Sequence, residues 1–532
     1  MKFQRTAALL GVVLLIWALG PLVLLAALVA LGFPRVRRWL RPTRRVVAIW
    51  AATVVVLVGV VVLVPDGYLP IPPGPGALVT PGYVGSPATP DPIDLRIPQH
   101  PRLASNGNSS MHNDGWASDA YAGPGPLGES PRVDTAWYGL EECATLAFDS
   151  RDRLIALCGN ISGPVIHVLD PESMRAQATL ELPGRRDNGN GKKPWENLCG
   201  GSYFFLDDQD RAVTATTERS IVAITTADGE GEPDLTIQTS YDLTEQVPED
   251  DCLIALMPDW GGRIWYETED GRVGFVDPGT GRATVLDLGE EIANSFSVGA
   301  DGGVYVVTVN ALYKLGVDAA GRPAVTWRTT YDRGTDTKPG QLSRGSGTTP
   351  TLMPGGLVAI TDNAEPRMNV QFYETGDGSL VCQRAVFGDG ASATDNSLVS
   401  VGDGVIVENN YGYGGPLSTM FGRATPGGFA RVDVAGGECE LVWTSEQVAP
   451  TSVAKVSLET GLVYAYTKRK SWLGVNAWYF TAISARTGRT EFSVRTGLGT
   501  LFNNHYSAVT LAPDGSAYVA TLAGLVRIRD RE

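Results

Sequence analysis

Residues 509–521 read VTLAPDGSAYVAT, two apolar runs on either side of a Pro-Asp-Gly turn. Alternating Val, Leu, Tyr and Ala around such a turn is the pattern of a tight antiparallel hairpin, not of a helix. The unit recurs along the chain as TLAFDSRDRLIALCG (145–159), YFFLDDQDRAVTAT (203–216), LIALMPDWGGRIWYET (253–268) and FSVGADGGVYVVT (296–308). It continues as PTLMPGGLVAIT (350–361), LVSVGDGVIVEN (398–409) and AKVSLETGLVYAYT (454–467). Turns centred on Asp152, Asp210, Gly262, Gly302, Gly355, Asp403, Thr460 and Asp514 recur about every 50 residues, a period typical of propellers and solenoids.

Copies go on to a third strand, a second turn and a fourth strand, as in VIHVLDPESMRAQATLEL (165–182) and VQFYETGDGSLVCQRAV (370–386). Four antiparallel strands make one propeller blade. The eighth copy stops after LVRIRDRE, one strand short, and a strand-like stretch, RVDTAWYGLEE (132–142), stands just before the first copy. Pairing the two would close the ring and leave no open sheet edge. The expected fold is therefore all-β, a closed eight-bladed β-propeller over 132–532. Seven blades is the alternative, because the step from Gly262 to Gly302 is only 40 residues.

Composition agrees with this reading. In 532 residues there are 63 Gly and 34 Pro, which favours many short strands joined by turns over long helices. A hydrophobic share of 43% supplies a large core, and a net charge of −15 argues against a nucleic-acid partner.

The N-terminal region is different. Residues 6–31 and 46–64 are uncharged apolar runs, and six Arg stand between them at 35, 37, 38, 41, 44 and 45. Each run is long enough for a bilayer core of about 30 Å, and Arg-rich loops stay cytoplasmic. The expectation over 1–64 is a transmembrane hairpin, with helices near 6–31 and 46–64, a cytoplasmic loop at 33–45 and both flanking ends outside. A cleaved signal peptide is the alternative, but the first run is much longer than a typical signal core. The expected address is thus the cytoplasmic membrane, with the propeller on the extracytoplasmic side and lipid as one partner. Residues 65–104 are dominated by Pro and Gly and read as an extended linker. Residues 105–131 are polar and aromatic and read as a capping segment.

The turns between third and fourth strands, VLDPESMRAQ (168–177), VDPGTGRATV (276–285) and ISARTGRTEF (483–492), resemble the repeat of the quinoprotein dehydrogenase-like, or PQQ-like, propeller family. The resemblance implies a propeller whose blades are docked by a Trp late in the fourth strand. Here Trp327 and Trp443 hold such places. No vicinal Cys pair, which the family's alcohol dehydrogenases set against the quinone, is present, so pyrroloquinoline quinone is not the expected cofactor.

Propeller geometry sorts loops by face. Loops leading into blades carry Asn197, Asp251, Asn294, Asp395, Asn396, Asn503, Asn504 and His505. Loops after second strands carry Asp362, Asn363, Glu408, Asn409, Asn410 and Lys468–Arg469–Lys470 on the same face. In the capping segment, His112, Asn113, Asp114 and Asp119 combine imidazole, amide and carboxylates, residue types that suit a divalent cation. These are the candidate ligand-binding residues, although Asn and Asp also favour loops for local reasons. No GxSxG elbow, phosphate loop or HExxH helix occurs, so no reaction is legible. The favoured function is a membrane-anchored binding or scaffold module for a protein or small molecule. A metal-assisted propeller hydrolase, lactonase or lyase is the alternative, followed by a quinone-dependent dehydrogenase.

An extracytoplasmic address permits disulfides. Cys143 and Cys158 flank the first hairpin turn at equal distances, Cys199 and Cys252 precede neighbouring blades, and Cys382 and Cys439 hold matching places in fourth strands. These three pairs are the expected bridges.

Overall fold

The computed structural model describes residues 2–40, 44–139, 141–160, 162–184, 199 and 202–531. Within them the chain forms eight antiparallel blades around one axis. In the hairpin at 509–521, Val509 pairs with Val519 and Leu511 with Ala517. The turn closes because Gly515 donates its N–H to the Ala512 carbonyl, while the Asp514 carboxylate accepts from the Ser516 N–H.

The ring closes as the missing strand requires. Arg132–Trp137 lies antiparallel to Gly524–Arg529, from Arg132 opposite Arg529 to Trp137 opposite Gly524. The earliest strand of the propeller thus completes its last blade. The short step near Gly302 costs no blade, because Ser297–Val298 through Pro323–Thr330 still form four strands.

Apolar faces of adjacent blades meet to form the core. Phe205, Trp265, Phe275 and Leu315 join blades two, three and four, and Tyr464, Phe480, Val519 and Ile528 join blades seven and eight. Two blade junctions carry the docking Trp that the repeat resemblance implied. Trp327 donates its indole N–H to the Thr375 carbonyl (3.1 Å), and Trp443 donates to the Ala485 carbonyl (2.9 Å). Each ring covers the glycine of the next blade's turn, where a Cβ would stand 2.5 Å from the indole of Trp327 (at Gly378) or Trp443 (at Gly488).

All three expected disulfides form. Cys143 sits directly opposite Cys158 on paired strands of blade one. Cys199, in the loop leading into blade two, bridges to Cys252 before blade three. Cys382 joins Cys439 across the outer strands of blades five and six. This last bridge closes a 57-residue interval, for which loop entropy allows about 4 kcal/mol. Replacing both cysteines with Ser should lower the unfolding free energy by about 2–4 kcal/mol. An unchanged urea midpoint would show that the bridge adds nothing.

The N-terminal region departs from expectation. The first apolar run is not one helix: α1 (Lys2–Leu19) ends at Gly20, and α2 (Pro21–Gly32) starts on a proline. Gly20 has φ +97°, and Pro suits a first helical position, so a Gly-Pro pair turns the chain here. A short α3 (Pro34–Leu40) and α4 (Arg44–Leu63) follow. The elbow reverses direction, so Arg5 lies against Trp39, its guanidinium 5.8 Å from the ring. Among the described residues, no helix is long and apolar enough to cross a membrane.

Residues 65–104, the Pro- and Gly-rich stretch read as an extended linker, run along the propeller. Gly67 donates to the Trp137 carbonyl, Tyr83–Gly85 adds a strand to the outer edge of blade seven, and Ile93 donates to Leu458. An extended Pro-rich chain keeps its backbone groups available, and sheet edges take them up.

Candidate functional site

The innermost strand of each blade is a sheet edge, and its outward N–H groups face the axis. The polar segment expected to cap the propeller threads this axis and meets the inner edges of blades one, two and four to eight. Asn108 donates its amide to the Leu511 carbonyl of blade eight, and its own carbonyl accepts from Phe148 of blade one (3.0 Å). The Ser109 carbonyl takes Leu206 of blade two (2.8 Å), and that of Gly115 takes Val298 of blade four (2.6 Å). Carbonyls of Trp116, Ser118 and Asp119 accept from Leu352, Ser400 and Val456 of blades five, six and seven at 2.9 to 3.0 Å. Ala120–Tyr121 then pairs parallel to Lys455–Ser457.

Short side chains make this path feasible. Asn113, Ala117 and Asp119 have φ of 74°, 51° and 53°, left-handed values that bend the chain repeatedly around the axis. Side chains hold the bends: Asn106 accepts from the Asn108 N–H (2.9 Å) and Asp114 from the Trp116 N–H (2.8 Å).

At the centre lies a buried charged group. Lys455, on the innermost strand of blade seven, donates to the Asp119 carboxylate and to the Met111 carbonyl. His112 Nδ1 is 3.2 Å from Asp119 and 3.0 Å from Ser397 Oγ, and Ser397 also donates to Asp119. Asp119 is fully buried and Lys455 almost so. Burial alone would raise the Asp119 carboxyl, but Lys455 and His112 outweigh it and hold it below its ordinary value. Burial pulls the Lys455 ammonium down, with Asp119 opposing.

Asp114 stands apart from that ion pair. Burial pushes its carboxyl up to about 7, despite hydrogen bonds from Ser118 and Trp116. The folded state therefore binds a proton between about pH 4 and pH 7 that the unfolded chain lacks, and this group makes stability fall as pH rises through that window. Asn at 114 can accept from the Trp116 N–H and donate to Ser118, as the protonated acid does. Asp114→Asn should thus be more stable than the parent at pH 8 and lose this decline. Parallel urea midpoints for both proteins from pH 4 to pH 8 would contradict it.

The remaining candidates lace loops together. Asn396 and Asn410 both donate to Glu408 Oε1 (3.1 and 2.5 Å), and Asn396 also reaches the Ser452 carbonyl (2.8 Å). Asp395 accepts from the Leu342 N–H (2.6 Å). Burial raises the Glu408 and Asp395 carboxyls well above their usual range, against hydrogen bonds from Asn410 and Asn396 at Glu408 and from the Leu342 N–H at Asp395. Asn409 clips the carbonyls of Ala391 and Gly427, Asn504 accepts from Thr451, and Asn503 accepts from the Tyr413 hydroxyl. His505 Nδ1 lies 3.1 Å from Glu142 and does not join the His112 group. Asn113 is buried and reaches the Gly107 carbonyl at 3.4 Å. Asn197 lies outside the described residues.

For a divalent cation the geometry is poor. Among the described residues, the groupings close enough to share an ion are Glu141, Cys158 and His167, and Cys199, Cys252 and Glu269. Each contains sulfurs already committed to a disulfide. In the His112–Asp119 group, the Lys455 ammonium sits against the carboxylate and supplies the positive charge. Lys455 was the residue missed. A lone Lys opening an apolar innermost strand, AKVSLETG, is the signal that marks it.

No family model matches the chain. An uncharacterized protein of Archaeoglobus fulgidus is 27% identical over 315 residues, 52% of this chain and 60% of that protein. The chain therefore spans less than two thirds of that relative's length. Among solved structures, BamB from Moraxella catarrhalis is similar with a TM-score of 0.45 at 12% identity, over 72% of this chain and 93% of that one. The computationally designed Ika8 protein gives 0.43 at 11% identity, over 74% and 97%. Streptogramin B lyase gives 0.37 at 11%, over 77% and 94%. The eight-bladed assignment rests on the strand pairing itself.

Proposed function

We propose that the chain is a membrane-anchored, extracytoplasmic propeller that acts as a binding or scaffold module for a protein partner. The observation that carries this reading is the filled axis. Residues 108–121 occupy the place where a propeller would hold a small substrate, and the backbone carbonyls of Asn108, Ser109, Gly115, Trp116, Ser118 and Asp119 are taken up by the chain's own blade edges.

Three features support the address. Helices α1, α2 and α4 present Leu10, Leu14, Leu25, Val29, Ile49, Trp50, Val55 and Val56 to the exterior, far more apolar surface than a soluble face carries. The elbow at Gly20 touches the propeller, whereas the Arg-rich stretch is at the other end of the helices, so an Arg-rich cytoplasmic end leaves the propeller outside. The three disulfides suit that compartment. The helical group enters the bilayer as a hairpin plus α4.

On the face away from the helices, turns of blades two and three frame a cleft of about 390 Å³ lined by Arg102, Asp207, Arg211, Arg263 and Asp277. Its mixed charges suit a polar protein surface. A photo-crosslinking amino acid at the exposed Gln209 on its rim should yield a discrete protein adduct in intact cells. A cysteine at Glu230 on the same face should react with a membrane-impermeant maleimide. Labelling only after lysis would overturn the address, and no adduct at the rim would overturn the binding role.

A further inference from the structure

The opposite face, beside the helix elbow, carries apolar side chains with no cover. Leu417 is 69% exposed, Phe421 66% and Trp472 86%, on the loops after the second strands of blades six and seven. Leu78, 75% exposed, joins them where its N–H meets the Ala18 carbonyl at the end of α1. The loops touch the elbow directly: a Cβ at Gly20 would stand 2.7 Å from Val475, and one at Gly474 would stand 3.5 Å from Pro21.

These tips are held out, not loosely displayed. Arg423 donates to the carbonyls of Leu417 (2.7 Å) and Met420 (3.2 Å), fixing the short turn Pro416–Thr419. The two loops are tied by Ser471 N–H to Gly422 (2.8 Å) and Gly422 N–H to Asn476 Oδ1 (2.8 Å). Gly422 is required there, because its φ is +75° and a Cβ would stand 2.0 Å from the Ser471 carbonyl oxygen. Lys468 donates to the Arg423 carbonyl from beneath. Rigid display of large apolar groups is costly unless something covers them.

Charge points to the occupant. Besides the buried Lys468, stretches 412–428 and 467–479 contain Arg423, Arg469 and Lys470 and no acid, in a chain with 58 acidic against 43 basic residues. Trp and Phe flanked by Lys and Arg suit the headgroup boundary of an anionic bilayer. The patch is also continuous with the apolar helices that leave from the same elbow.

We infer that Leu78, Leu417, Phe421 and Trp472 form a second membrane contact, which seats this face of the propeller on an anionic lipid surface. The inference rests on the anchored reading and adds orientation to it: the propeller is docked face-down instead of swinging on its helices. The cleft between blades two and three then faces away from the bilayer.

The test uses the full chain in phosphatidylcholine vesicles with and without phosphatidylglycerol, no other protein being present. A fluorophore is placed at Trp472→Cys and, as the far-face control, at Glu230→Cys, with spin-labelled lipid as quencher. The expected result is co-flotation of both variants, with quenching at position 472 at least threefold stronger than at 230 and strongest with phosphatidylglycerol. Co-flotation with equal, weak quenching at both positions would overturn the face contact and leave the anchor standing. Failure to float would overturn both.

Discussion

Removing Arg132–Trp137 should unfold the propeller as a whole, although those residues are almost 400 positions from the strand they pair with. Six residues pair in register with Gly524–Arg529. Their loss leaves blade eight with three strands and exposes an edge beside the buried Val526 and Ile528. Trp137 also receives the chain at 67–69, donating to the Leu69 carbonyl and accepting from Gly67. A ring lacking its closing strand loses both the ladder and the apolar seal, a deficit comparable with the ~5–15 kcal/mol that stabilises a domain. No cooperative melting transition should remain in the deleted protein. A transition at the parental temperature would mean that closure comes from elsewhere.

The second large effect is expected at the axis. Lys455→Met removes the cation that compensates a fully buried Asp119 and should cost about 3–5 kcal/mol, since breaking a buried pair leaves one charge stranded. The sign of its pH dependence is fixed. In the parent, Asp119 lies below its ordinary value, so its stabilisation is present above about pH 4 and disappears as pH falls through the folded value. Without Lys455, burial raises Asp119, and protonation relieves the stranded charge. The gap between parent and variant should therefore narrow from pH 8 toward pH 4. Lys455→Met combined with Asp119→Leu should recover most of the loss at pH 8. Denaturant midpoints of the four proteins of this cycle read the coupling directly.

Much of this architecture is legible before any coordinates. The hairpin repeats, the borrowed closing strand and the three cysteine pairs follow from turn chemistry and strand register, which are local and periodic. Cys143 and Cys158 are the clearest case, because equal distance from one turn places them opposite each other. Three features are not legible for identifiable reasons. The Gly20–Pro21 elbow hides inside an apolar run whose length alone suggests a span. Composition shows that 65–104 is extended, but not which sheet edge it meets. The segment 105–131 displays ligand-like side chains, whereas its partners are backbone N–H groups of innermost strands, which leave no mark in a side-chain pattern. His112 and Asp119 read in the sequence as residue types suited to a divalent cation, whereas the positive charge against Asp119 is Lys455, 336 residues further along the chain.

The plugged axis is the centre of this account, and amide hydrogen exchange tests it most directly. The N–H groups of Phe148, Leu206, Val298, Leu352, Ser400 and Val456 donate to carbonyls of 108–119. Exchange of the full chain, resolved to single amides, should place all six among the slowest, alongside strand interiors such as Tyr464 and Phe480 of blade seven. Rapid exchange at these six, with the rest of their blades protected, would mean that the axis is open to solvent and would contradict the account.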